Sequence, residues 1–133
     1  MPLVELKYVK EQVDEINKEK LVNGIMNIIV NIMHRNPDLT VLIIDEVESK
    51  NWLIGGKAID KNTKTVIAIN IKISKGTSNA DEMLSVIKAG KDLINEVFGH
   101  CDLTNYIVIQ ELNPDSWGFD GISMTERNRI ESK

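Results

Sequence analysis

A chain of 133 residues, 42% apolar and 27% charged, is long enough for one compact core and has the make-up of an ordinary globular protein. A formal net charge of −4 argues against nucleic acid as a partner, no apolar run reaches membrane-span length, and no signal-peptide pattern opens the sequence. Cys101 is alone, which excludes an internal disulfide and suits a reducing cytoplasm; with only two separated histidines, His34 and His100, a transition-metal site is not expected.

The opening segment Pro2-Leu3-Val4-Glu5-Leu6-Lys7-Tyr8 alternates, with Val4, Leu6 and Tyr8 on one side and Leu3, Glu5 and Lys7 on the other. This reads as a strand with one face covered. Asp14 is a good N-cap for a helix bearing Ile16, Leu21, Ile25, Ile28, Ile29 and Ile32, which ends before Asn36-Pro37. Val41-Leu42-Ile43-Ile44 is nearly continuous in apolar character and reads as a buried strand, parallel to the first across the helix. Asp60-Lys61-Asn62-Thr63 supplies a turn. A second alternating strand sets Ile67, Ile69, Ile71 and Ile73 against Ala68, Asn70, Lys72 and Ser74. Ser78 and Asp81 resemble a capping box for a helix carrying Met83, Leu84, Ile87, Leu93, Ile94 and Val97, with Gly99 as its stop. Tyr106-Ile107-Val108-Ile109 reads as another buried strand, and the charged residues from Ser123 onward read as a solvated, peripheral tail.

These elements repeat. A shift of 65 residues places Pro2 on Ile67, Lys7 on Lys72, Ile29 on Ile94, Glu46 on Glu111, Trp52 on Trp117 and Gly56 on Gly121. Both tryptophans of the chain fall at one offset, which marks a duplicated β-α-β unit. The fold class expected is therefore α/β (α+β): a tandem β-α-β repeat forming a four-stranded sheet with two helices on one face. It would be a single domain spanning 1–133, with units at 2–60 and 65–121 and a tail at 122–133. The uncovered face, with Glu5, Lys7, Asn70 and Lys72 beside Leu3 and Ala68, is neither fully polar nor fully apolar. Closed assembly of chains around an axis would turn it inward.

Pro2 is the candidate catalytic residue. Trimming of Met1 before so small a residue leaves a secondary amine on a ring of fixed φ. An α-amino group titrates at about 7.7–8.0, and burial lowers it further by disfavouring the charged form. A base near neutrality suits proton abstraction next to a carbonyl. The plain alternative is a proline that only starts a strand.

Met1-Pro2, the strand to Val9, the long helix, the strand ending Ile43-Ile44-Asp45-Glu46 and the run Asn51-Trp52-Leu53-Ile54-Gly55-Gly56 resemble 4-oxalocrotonate tautomerase. The second half looks like another copy without the proline, so the chain resembles a fused member of the tautomerase superfamily over residues 2–121. Asn113-Pro114-Asp115-Ser116-Trp117-Gly118-Phe119 is similar to the malonate semialdehyde decarboxylase branch. The resemblance implies catalysis by Pro2 without a cofactor or metal, with Ile67 at the corresponding place in the second half. It implies that Trp52 and Trp117 wall the site, and that Tyr106 faces a neighbouring subunit's proline and stabilises an enolate. It also implies a homotrimer acting on a small oxo acid, with neither nucleic acid nor membrane as partner.

The family's carboxylate-gripping arginines are missing: Gln12 holds one of their places and Val41 or Leu42 the other. Of the three arginines, Arg35 is the best substitute anchor for substrate, and a cation at a helix C-terminus is its equal alternative. Glu46 and Glu111 end strands at equivalent places, which favours a structural role for both. The leading function is a keto–enol tautomerase. A decarboxylase or halo-acrylate hydratase of the same superfamily, or a non-catalytic assembly protein, are the alternatives.

Overall fold

The computed structural model describes residues 2–132. Strand β1 (Leu3–Val9), helix α1 (Glu15–Asn31) and strand β2 (Val41–Val47) form the first β-α-β unit. After a short hairpin, β3 (Leu53–Ile54) and β4 (Lys57–Ala58), the pattern recurs as β5 (Ile67–Ser74), α2 (Ala80–Phe98) and β6 (Tyr106–Leu112). A second hairpin, β7 (Gly118–Phe119) and β8 (Ile122–Ser123), and a helix α3 (Met124–Glu131) follow. No helix among the described residues is long and apolar enough to cross a membrane.

The four long strands form one mixed sheet in the order β2-β1-β5-β6. Each helix crossover returns the chain parallel to its own first strand, while β1 and β5 pair antiparallel at the centre, Leu3 opposite Lys72 and Tyr8 opposite Ile67. This pairing makes the two halves one sheet and sends their equivalent ends to opposite edges of the molecule. Val4, Leu6, Tyr8, Ile67, Ile69, Ile71 and Ile73 are buried beneath Leu21, Ile25, Ile29, Val86 and Ile94 of the helices, in a single cluster. The alternation read from the central strands is therefore the division between helix-covered and open faces.

Three local expectations are corrected. β2 and β6 are not buried strands: Val41, Ile43, Tyr106 and Val108 are 55, 51, 65 and 43% exposed. They are the sheet's edges, so Leu42, Ile44, Ile107 and Ile109 pack under the helices while the alternate residues face outward. A run apolar on both faces signals two things to cover, and only one cover lies in this chain. Second, the α2 cap is Asn79, whose side chain accepts the Glu82 N–H at 2.8 Å, one residue later than the expected Ser78. The helix stripes also shift, because Ile16 and Leu84 are exposed and α2 buries Val86, Gly90 and Ile94. A β-carbon at Gly90 would lie 2.3 Å from Ile107, and one at Gly24 would lie 2.2 Å from Leu93, so these glycines set the close approach of α2 to β6 and α1 to α2. Third, the tail contains α3, capped by Ser123 accepting from the Glu126 N–H at 3.1 Å, with Met124 buried.

Candidate active site

Pro2 is buried at the start of β1, and its carbonyl accepts the Val41 N–H at 3.4 Å. Met1, whose removal the sequence reading requires, lies outside the described residues. Because β5 runs antiparallel to β1, its last residue Ser74 flanks the Pro2 end of the sheet. Ser74 is buried, and its hydroxyl accepts the indole N–H of Trp117 at 3.2 Å. The second unit thus delivers its tryptophan to the end of the sheet where the first unit begins.

Arg35 reaches the same end from the loop after α1. Its Nη2 donates to the Thr77 carbonyl at 3.2 Å and to the hydroxyls of Thr77 and Ser78 at 3.0 Å each. Thr77 is the 65-residue equivalent of Gln12. Arg35 therefore occupies, from another element, the neighbourhood that a position-77 arginine would fill. It lines a cavity of about 420 Å³ together with Ser74, Thr77, Phe119, Arg127 and Glu131. Arg127, on α3, stacks over the Phe119 ring at 3.7 Å and donates from Nη2 to the Phe119 carbonyl at 3.2 Å. Sequence reasoning missed Arg127, Ser74 and Phe119. The available signal was Ser123 followed three residues later by Glu126, a helix-start pattern within the supposed tail.

The remaining candidates lie at the other end. Trp52 packs on Val9, Ile59 and Val66. Ile67 is fully buried in the core. Tyr106 stands on the open face opposite Ala68. From Pro2 to the level of Tyr106 is five strand residues, roughly 17 Å along the sheet at about 3.3 Å each, and two strands across. Within one chain, then, Pro2, Trp117 and Arg35 lie at one end of the sheet, and Tyr106, Trp52 and Ile67 lie at the other.

That second end is closed by the segment linking the halves. Gln12 donates to the Thr63 and Lys64 carbonyls at 3.2 Å each and accepts the Val66 N–H at 3.0 Å. Asn105 accepts the Ile67 N–H at 2.7 Å and donates to the Thr65 carbonyl at 3.2 Å. The atom equivalent to the Pro2 nitrogen is an engaged peptide N–H with no basicity. Glu46 accepts the Tyr8 hydroxyl at 2.8 Å, and Glu111 accepts the Gly76 N–H at 3.4 Å, so both glutamates tie strand ends as expected. Burial, then the hydrogen bond to Glu46 and its charge, hold the Tyr8 phenol well above the usual tyrosine range.

A family model described as tautomerase enzyme matches residues 2–62. A probable tautomerase of Dickeya dadantii (strain 3937) is 41% identical over 59 residues, 44% of this chain and 88% of the relative. Such a relative is about one β-α-β unit long. Among solved structures, Pt0534 inactivated by 2-oxo-3-pentynoate superposes with a TM-score of 0.83 at 14% identity, over 96% of this chain and 99% of the other. A fused 4-OT wild type symmetric trimer, Q0, gives a TM-score of 0.80 at 14% identity, over 96% and 99%. The structural likenesses establish that the fused, two-unit fold is shared.

Proposed function

This chain belongs to the tautomerase family, and from that premise we propose that it interconverts keto and enol forms of a small 2-oxo acid, with the Pro2 nitrogen as general base once Met1 is removed. The observation that carries the reading is the burial of Pro2 at the sheet end that also holds Trp117 and Arg35. Burial disfavours the protonated amine, the direction a general base requires. The base takes a proton α to the carbonyl and returns it to another carbon, so the balance is one proton moved and no redox change. Of the two tryptophans, Trp117 walls this site, and Arg35 holds the substrate carboxylate. Trp52 and Ile67 belong to the closed pseudo-site, where they keep shape without chemistry.

Three chains are proposed to assemble, their open sheet faces turned inward. The exposed Val41, Ile43, Tyr106 and Val108 on those faces support it, and the fused 4-OT neighbour Q0 is a trimer. In that arrangement Tyr106 serves a neighbouring chain's Pro2, donating a hydrogen bond to the developing enolate oxygen.

The test uses protein shown by intact mass to begin at Pro2. It is assayed for ketonisation of phenylenolpyruvate and 2-hydroxymuconate, then treated with 2-oxo-3-pentynoate and digested for mass spectrometry. Turnover, and an adduct on Pro2 that abolishes it, are expected. Absence of turnover with both enols, or inactivation by modification elsewhere while Pro2 stays unmodified, would refute the proline mechanism.

A further inference from the structure

The linker that closes the Ile67 end of the sheet leaves the space beside it open. Between the linker, the β3-β4 hairpin and the second half of α2 lies a cavity of about 950 Å³, against about 420 Å³ for the one at the Pro2 end. The 65-residue shift relates the two. Ile54, Ile59, Asn62, Thr63 and Cys101 line the larger, and their equivalents Phe119, Met124, Arg127, Asn128 and Asn36 line the smaller. What differs is the filling. At the Pro2 end the chain after the hairpin coils into α3, which buries Met124 and stacks Arg127 on Phe119. At the other end the chain after the hairpin runs on to β5, no helix forms, and Ile54 stands where the ring would be.

The walls are of two kinds. Ile54, Ile59, Ile87, Ile94 and Ile107 are apolar, and Ile87, Lys91 and Ile94 share one face of α2 at helical spacing. Ile87 is 41% exposed, and Leu103, which lines the same cavity, is 99% exposed, so apolar surface is left to water here. Lys57, Lys64 and Lys91 supply cations, and among the described residues none of them forms an ion pair. The lining carboxylates are engaged with their own turns. Asp60 accepts the Asn62 N–H at 2.8 Å, and Asp102 accepts the Thr104 N–H at 2.8 Å together with the Thr104 hydroxyl. Three cations against two such carboxylates make the cavity positive in a chain whose net charge is −4.

We propose that this cavity binds an amphipathic carboxylic acid, of which a medium-chain fatty acid is the simplest, its tail against the isoleucines and its carboxylate among the lysines. Lysine ammonium groups are point charges on flexible stems, so they receive a carboxylate without demanding one orientation, while their methylenes extend the apolar wall. The volume lies at the upper end of ligand pockets, about 300–1,000 Å³, where a short polar acid would leave water on the apolar wall and an aliphatic tail displaces it. The site binds and does not turn over: the place of the Pro2 nitrogen is held by the Ile67 N–H, already donated to Asn105. Ile94 and Ile107 belong to the helix-covered side of the sheet, so assembly through the open face leaves the cavity uncovered. Nothing in this proposal depends on Pro2 being a base.

Isoleucine δ1-methyl spectra of the full-length protein, recorded during titration with decanoate, test it. The Ile54, Ile87 and Ile107 signals should shift saturably, while Ile43 on the open face stays in place. Decanoate should bind about 10-fold tighter than octanoate, since each buried methylene is worth about 3–4-fold. Decan-1-ol, the same tail without the charge, should bind about 3–10-fold more weakly than decanoate, and a Lys57→Gln, Lys91→Gln double variant should lose the same factor. Both lysines are exposed, so its melting temperature should match the wild type. Ile54→Phe restores the ring that Phe119 supplies at the equivalent place and should weaken decanoate by at least about 10-fold. Equal affinity for decanoate and decan-1-ol, or undiminished decanoate affinity in the lysine variant, would overturn the site. Shifts led by Ile43 would put the tail on the open sheet face and overturn it too. Pro2→Ala should keep the decanoate response whatever becomes of enol turnover; loss of that response would move the ligand to the other cavity and end the proposal.

Discussion

At the scale of single residues, the proposed reaction rests on one atom, the Pro2 nitrogen. Pro2→Ala, in protein lacking Met1, should lower kcat/KM by at least about 100-fold, the low end of a general base's contribution; steady-state kinetics on phenylenolpyruvate measure it. Tyr106→Phe removes one hydrogen bond to charge that develops in the transition state and should cost about 10–100-fold in kcat, with KM less affected. Tyr8 offers a pH test away from the site. Its native pKa is raised first by burial and then by Glu46, so folding favours the neutral phenol. That contribution is complete below the unfolded value of about 10 and is lost as pH rises toward the higher native value. Urea midpoints should therefore fall on the alkaline side, and Tyr8→Phe should flatten that decline. The sequence singled out Pro2, Arg35 and Trp117 because each has a distinctive type at a telling position, and the fold sets all three at one end of the sheet. Arg127 was not, because a lone arginine in a charged terminal segment looks solvated until Phe119 is seen beneath it.

At the scale of elements, spacing alone misplaced the helix contacts. The apolar periodicity of α2 admits Leu84 and Ile87 as readily as Val86, and the deciding feature is Gly90, where the Ile107 side chain fills the space a β-carbon would take. Glycine in an exposed helix usually gains about 1 kcal/mol on change to alanine. Here the sign should reverse, since a methyl 2.3 Å from the Ile107 Cδ1 forces that side chain out of its packed place under α2. Overpacking of that kind costs about 1–3 kcal/mol. Gly90→Ala should lower the urea midpoint without changing the slope. The strand faces were legible in the centre of the sheet, where Glu5, Lys7, Asn70 and Lys72 alternate with buried residues. They were not legible in β2 and β6, where both faces are apolar and only pairing shows which strands are edges.

At the scale of the whole molecule, the open face has charge at its middle and apolar residues at two opposite corners. Glu5 pairs with Lys72 on the central strands, while Val41 and Ile43 mark one corner and Tyr106 and Val108 the other. A trimer that covers these corners should appear by light scattering at micromolar concentration. Ile43→Asp, placing an unpaired charge in the covered face, should shift the mass toward one chain. A fully monomeric wild-type chain at that concentration would count against the assembly and leave Tyr106 without a neighbour to serve.

The segment that Gln12 and Asn105 clamp over the second pseudo-site has a consequence for how such a protein can change. In a ring of identical single units every side chain is printed at every position, so any change must be tolerated everywhere at once. Joining two units removes that constraint. Gln12 and Thr77, or Arg35 and His100, are equivalent by position and already differ. If Pro2 is the base proposed above, one half carries the reactive terminus and the other is free to be reshaped as its setting, at the cost of half the possible active sites.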